Sequence, residues 1–135
     1  MKLAVPSTGK GLDSDISYVF GRSPEFIIIN LENDEIKDVY SVLNPAKNEK
    51  GAGNIAAQFI IDQGVEVLIL GELGNVAFGI LRNAGIKIYK IIPGDVKNNI
   101  KSYKEGKLEE ITSASSGFPG SGGRDPGRGE RMRRR

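Results

Sequence analysis

Apolar residues along this chain recur at different spacings, and each spacing names an element. Leu3-Ala4-Val5 is a short apolar run ended by Pro6-Ser7-Thr8-Gly9-Lys10-Gly11, the pattern of a strand leaving into a turn-rich loop. An irregular stretch continues to Pro24. The β-branched run Phe26-Ile27-Ile28-Ile29-Asn30-Leu31 and the alternating Ile36, Val39, Tyr40 and Val42 then predict two antiparallel strands, joined by a hairpin turn at Glu32-Asn33-Asp34. Ile55, Ala56, Phe59 and Ile60 return at helical spacing with Gly64 as the stop. Val65 to Leu70 is apolar apart from Glu66, which predicts a central strand covered on both faces. Val76, Ala77, Ile80, Leu81 and Ala84 predict a second helix ended by Gly85, and Ile86 to Ile91 alternates as the last strand. Asp95 is placed to cap a third helix burying Val96, Ile100 and Tyr103 and closed by Gly106, after which Lys107 to Ile111 extends from the domain.

The resulting order is βββαβαβα: a hairpin region followed by βα units, whose connections favour parallel strands and right-handed crossovers. It predicts an α/β, ribonuclease H-like three-layer fold with a mixed five-stranded sheet flanked by helices. A domain of about 110 residues buries roughly 65% of the surface its unfolded chain exposes, so no metal or cofactor is required for folding. The domain is assigned to residues 1–112. Residues 113–135, rich in Gly, Ser and Arg, cannot bury enough apolar area to offset ordering entropy and predict a disordered tail.

Charge divides at the same boundary. Residues 1–112 carry 13 Lys and Arg against 15 Asp and Glu, whereas residues 113–135 carry 6 Arg against 2 acids, so the net +2 of the whole chain comes from the tail. The tail arginines, Arg124, Arg128, Arg131, Arg133, Arg134 and Arg135, offer the one route to nucleic-acid phosphates; the folded part offers none. With a single aromatic, Phe118, base stacking by the tail would be sparse, and a solubilising tail is the simpler reading. There is no Cys and no His. Disulfides, thiol nucleophiles, thiolate-held zinc and conventional iron-sulfur ligation from within the chain are therefore excluded, and with His goes the commonest general base near neutral pH. No apolar run has signal-peptide or membrane-spanning length, and a cytoplasmic monomer is expected.

Chemistry concentrates at two glycine junctions, Gly51-Ala52-Gly53-Asn54 and Gly71-Glu72-Leu73-Gly74-Asn75, each where a helix should begin. Glycine lets backbone N–H groups approach a ligand, and the first N–H groups of a helix are unpaired and partly positive, so both junctions suit an anion. In a parallel βα arrangement they fall at the carboxyl ends of strands, where Ser7 and Thr8 also leave the first strand. Arg22, in Phe20-Gly21-Arg22-Ser23-Pro24, is a guanidinium on a glycine-bearing turn that could clamp an anion or pair with a surface carboxylate. The expected pocket is Ser7, Thr8, Gly21, Arg22, Gly51, Gly53, Asn54, Gly71, Glu72, Gly74 and Asn75; the plainer alternative is that the glycines only permit turns and the asparagines cap helices. Gly51-Ala52-Gly53-Asn54-Ile55-Ala56 satisfies G-x-G-x-x-A, but Asn44 to Lys50 separates it from any strand, so dinucleotide binding is not indicated. Asp13 and Asp15 read as solvated loop residues rather than cation ligands. The first strand has no acid, which removes two-metal nuclease chemistry, and Glu72 has no base partner; no catalysis is expected and no metal ligand is identified.

Several of these pieces, in order, resemble the dinitrogenase iron-molybdenum cofactor biosynthesis family, the small cofactor carriers of NifX and NafY type and their free-standing relatives. The resemblance runs over about residues 1–111 through Gly11-Leu12-Asp13-Ser14-Asp15-Ile16-Ser17, Phe20-Gly21-Arg22-Ser23-Pro24-Glu25-Phe26, Asn44-Pro45, Gly51-Ala52-Gly53, Gly64-Val65-Glu66-Val67-Leu68-Ile69, Gly71-Glu72-Leu73-Gly74 and Gly85-Ile86-Lys87-Ile88-Tyr89. It implies the ribonuclease H-like fold without nuclease activity. It also implies non-enzymatic binding or carriage of an anionic iron-sulfur or iron-molybdenum cluster, with a donor or acceptor protein as partner. Carriers of this family are expected to hold the cluster through His or Cys, which this chain lacks, and Asn75 stands where the family often has proline. Backbone N–H groups and Arg22 would then replace thiolates. A protein-interaction adaptor without a metallocluster is the alternative function.

Overall fold

The computed structural model describes residues 1–46 and 48–112; the expected tail, 113–135, lies outside the described residues. Five strands form one sheet: β1 (Lys2–Ser7), β2 (Glu25–Glu32), β3 (Glu35–Leu43), β4 (Val67–Leu70) and β5 (Lys87–Lys90). Three helices, α1 (Ala52–Asp62), α2 (Asn75–Asn83) and α3 (Val96–Lys104), and a 3-10 turn at Phe20–Arg22 complete it. The order across the sheet is β3-β2-β1-β4-β5, with β1 antiparallel to β2, β2 antiparallel to β3, and β1, β4 and β5 parallel. This is the predicted α/β three-layer arrangement with a mixed sheet.

Alternation along the strands explains why they read as unbroken apolar runs. Ala4, Phe26, Ile28, Leu68, Leu70 and Ile88 face one way, onto Ala56, Ile60, Ala77 and Leu81 of α1 and α2. Leu3, Val5, Ile27, Ile29, Val67 and Ile69 face the other way, onto Val96 and Ile100 of α3. Burial on both sides removes the need for polar positions. β1 is the middle strand, and β4, expected to be central, lies beside it with all four residues buried. Deep in the α3 layer, Asn99 is fully buried, its amide donating to the carbonyls of Ile92 and Asp95 at 3.0 Å each and its Oδ1 accepting from the Ile92 N–H at 2.8 Å. Burial, helped by neighbouring Tyr89, pushes the Tyr103 hydroxyl above the usual tyrosine range.

The hairpin turn has Asn33 and Asp34 in the left-handed region (φ 55 and 65), as a primed turn requires. Gly64, Gly85 and Gly106 have positive φ just beyond their helices. Two expectations change. Lys107 to Ile111 turns back onto β5: Lys90 N–H donates to the Glu109 carbonyl (2.8 Å) and Ile111 N–H to that of Ile88 (2.7 Å). A bare β5 edge offers unpaired backbone groups, and the returning chain satisfies them. Ile55 and Val76, expected on buried helix faces, are 41% and 64% exposed. The buried positions fall instead on Ala52, Ala56, Ala57 and Ile60 in α1 and on Ala77, Phe78 and Leu81 in α2.

Candidate functional site

Because β3 runs parallel to β1, the chain leaves β1, β3, β4 and β5 at one edge of the sheet, and all three helices begin there. Their starts differ. Asp95 caps α3, its carboxylate accepting the Asn98 N–H at 2.8 Å. α1 begins after Gly51 and α2 after Gly74, and neither residue supplies a side-chain cap. The partial positive charge of the first turn is thus answered by a carboxylate on α3 and left to solvent or a ligand on α1 and α2. These two helices lie side by side: a Cβ built on Gly53 would sit 3.7 Å from Cβ of Ala77.

A crossing segment, Tyr18 to Ser23, touches both junctions. The Tyr18 carbonyl accepts the Glu72 N–H at 2.9 Å, and Val19 bridges Glu72 in parallel fashion. The approach leaves no room for side chains: a Cβ on Gly71 would fall 2.6 Å from the Tyr18 oxygen, and one on Gly21 would fall 2.7 Å from the Gly53 nitrogen. Phe20 anchors the segment, fully buried with its ring centroid 5.4 Å from that of Phe26. Asn44, 4% exposed, donates to the carbonyls of Gly21 (3.0 Å) and Ser23 (2.9 Å) and accepts the Ala46 N–H (2.9 Å). The Ser23 hydroxyl lies 2.6 Å from the Glu25 carbonyl and 3.1 Å from that of Ser7. Asn44 and Ser23 were not among the expected site residues. Their sequence signal is slight: each is a polar residue directly before a proline.

Of the expected site residues, Gly51, Asn54, Glu72, Gly74 and Asn75 are exposed, and Gly53 and Gly71 are half-buried between them. Asn54 and Asn75 stand in the first turns of their helices, with the capping positions held by Gly51 and Gly74. Arg22 ends the 3-10 turn at the surface, its backbone N–H donating to Val19 at 3.2 Å. Gly21 is buried under the crossing segment's contacts. Ser7 is fully buried, its hydroxyl donating to the Gly9 carbonyl at 2.6 Å, and Thr8 is exposed with its hydroxyl directed to the Asp15 carbonyl at 3.2 Å. The loop carrying Asp13 and Asp15 is held against the start of α3, with Val96 and Lys97 N–H groups donating to Ser14 and Leu12. Among the described residues, no three His, Cys, Asp or Glu side chains gather as they would around a metal ion.

Gly74 differs from Gly51 and Gly71 of the same two junctions. Its φ of −75° is open to any residue, and a Cβ there would meet nothing within 4 Å. Neither backbone conformation nor packing asks for glycine at the start of α2.

The family model for "Dinitrogenase iron-molybdenum cofactor" matches residues 1–106. The chain belongs to this family. It is 34% identical over 112 residues to MJ0580 of Methanocaldococcus jannaschii, an uncharacterized protein, covering 82% of this chain and 92% of that one. The Thermotoga protein TM1290, a candidate NifB protein assigned to the DUF35 family, is 36% identical with a TM-score of 0.74, over 87% of this chain and 98% of its own. The orange protein of Desulfovibrio gigas, solved in its apo form, is 29% identical with a TM-score of 0.75, over 84% and 95%. The family so identified is the one the ordered glycine, Asn-Pro and aromatic segments resemble. Among the described residues, no helix is long and apolar enough to cross a membrane.

Proposed function

We propose that residues 1–112 form a non-catalytic carrier domain that captures an anionic metal-sulfur cluster of the iron-molybdenum cofactor kind, with residues 113–135 as an appendage. The observation that carries this reading is the contrast among helix starts at one edge: α3 holds its own carboxylate, while α1 and α2, side by side, hold none. An anion set against Gly51 to Asn54 and Gly74 to Asn75 meets two sets of first-turn N–H groups and the aligned dipoles behind them. Gly74 allows such an anion to approach the backbone, which gives glycine there a purpose that local structure does not. Arg22, on the same edge, adds a guanidinium.

The donor set fits a preassembled cluster better than a bare metal ion. Backbone N–H groups and a guanidinium stabilise negative charge on bridging sulfides but cannot replace thiolates at a metal, and the Ser7 and Thr8 hydroxyls are already donated to the Gly9 and Asp15 carbonyls. Capture is therefore electrostatic and reversible, as transfer between a donor and an acceptor protein requires. Family membership and a structural relative described in an apo form support the same direction.

The test is an anaerobic titration of the full chain with a preassembled iron-sulfur or iron-molybdenum cluster, followed by amide NMR. Localised shifts at Gly53, Gly74 and Arg22 are expected. Shifts confined to Arg124 through Arg135, or none, would sink the carrier reading.

A further inference from the structure

We propose that two copies of this chain pair through the outer edge of β3, antiparallel and with Ser41 opposite its own copy, in place of the monomer expected from the sequence. The two edges of the sheet are treated differently. β5 is covered by the returning Lys107 to Ile111, whereas among the described residues no strand lies outside β3. β3 is nine residues long, and its outward N–H and C=O groups form a template for a further strand.

The ladder fixes which groups point outward. Asn44 N–H donates to the Pro24 carbonyl at 3.2 Å, and on the far side of β2 the Leu31 N–H donates to the Met1 carbonyl at 2.8 Å. Backbone groups alternate sides along a strand, so Tyr40 and Val42 direct theirs to Ile28 and Phe26, while Val39, Ser41 and Leu43 direct theirs away from the sheet. This outward stretch is closed at both ends. A register shift opposite Asn30 and Leu31 makes a bulge at Lys37, and Pro45 has no N–H to donate. Between those ends the outward residues are symmetric about Ser41.

That symmetry makes a second copy the fitting occupant. With Ser41 opposite Ser41, Val39 of each copy falls opposite Leu43 of the other, and every one of these pairs exchanges two backbone hydrogen bonds. Any neighbouring centre sets the Lys37 bulge or Pro45 against one of the outward residues. Tyr40 falls opposite Val42, an aromatic against a β-branched side chain, on the face that carries Phe26 and Ile28. Leu43, 69% exposed, gains Val39 of the second copy as a neighbour. Charges do not meet their like: Asp38 falls opposite Asn44 and Lys37 opposite Pro45. The short paired segment makes a weak, concentration-dependent dimer. Its two-fold axis sends the two glycine-lined edges to opposite ends, so both stay open, and the pairing does not depend on the carrier reading.

Sedimentation equilibrium of the full chain from about 10 μM to about 1 mM should show monomer and dimer in exchange. Ser41→Lys and Ser41→Glu each set like charges face to face and should each weaken association about tenfold or more. An equal mixture of the two variants should recover it, which misfolded chains could not do. Because the chain has no Cys, an introduced thiol reports the register. Ser41→Cys should cross-link to itself on mild oxidation, since hydrogen-bonded partners lie about 5.5 Å apart, within a disulfide's span. Leu43→Cys, more than about 10 Å from its own copy in this register, should not. A monomer throughout that range, which any other occupant of the β3 edge would leave, overturns the second copy as partner. Association untouched by Ser41→Lys, or equal cross-linking by both cysteine variants, overturns the Ser41-centred pairing.

Discussion

The two glycine junctions look alike in sequence and differ in why they need glycine. In the first, Gly51 sits in the left-handed region (φ 67), whereas a methyl group on Gly53 would only touch Ala77; the close approach at the Gly53 nitrogen requires glycine at Gly21 instead. In the second, Gly71 is required by the Tyr18 carbonyl, but Gly74 is extended, exposed and clear of neighbours. Gly51 and Gly71 are therefore used by the protein on itself. Gly53 and Gly74 are not, and of these two Gly74 is the exposed one, so the start of α2 is where a ligand has the strongest claim. A glycine motif becomes evidence for binding only after conformation and close packing have been subtracted.

The sharpest way to break this comparison is to release the crossing segment from both junctions. Asn44→Ala removes three buried hydrogen bonds and should cost about 3 kcal/mol, measured by urea unfolding, at about 1 kcal/mol each. A loss under about 1 kcal/mol would mean that the segment is held without Asn44. Gly71→Ala and Gly21→Ala each force a methyl group against backbone and should cost about 1–3 kcal/mol, as overpacking does. Tolerance of either would show that the segment shifts freely, and the packing explanation for that glycine would fail. Gly51→Ala meets open space but a strained φ, so roughly 1 kcal/mol is expected, the cost of a left-handed conformation less the entropy saved in the unfolded chain. The smallest effect belongs to Gly74→Ala, within about 0.5 kcal/mol either way, because the unfolded-state gain offsets a poorer cap. That variant should nevertheless weaken cluster binding in the anaerobic titration. Unimpaired binding would remove Gly74 from the site.

Local pattern carried much of the architecture. The order of elements along the chain, the helix stops at Gly64 and Gly85, the hairpin at Asn33 and Asp34 and the Asp95 cap are all encoded within a few residues of where they act. Legibility failed where a distant segment decides the outcome. Ile55 and Val76 fit helical spacing but sit on open faces, because the small side chains Ala52, Ala56 and Ala77 occupy the buried positions. Nothing near Lys107 to Ile111 reveals that β5 would otherwise present a bare edge. The candidate site divides the same way: its helix starts were readable, but Asn44 and Ser23, which fix the crossing segment, act across about twenty residues and carry only the mark of a following proline.

The position of β1 sets a timetable. As the chain is made, β1, β2 and β3 can form their antiparallel meander within the first forty-three residues, but the other side of β1 waits for Val67 and Leu68. Until α1 and β4 emerge, the strand destined for the middle of the sheet is an edge, with apolar side chains on both faces. Parallel pairing across that separation is slow to nucleate, because the loop must close before its contacts repay the entropy. Aggregation during synthesis is therefore most dangerous in the interval between Leu43 and Leu70.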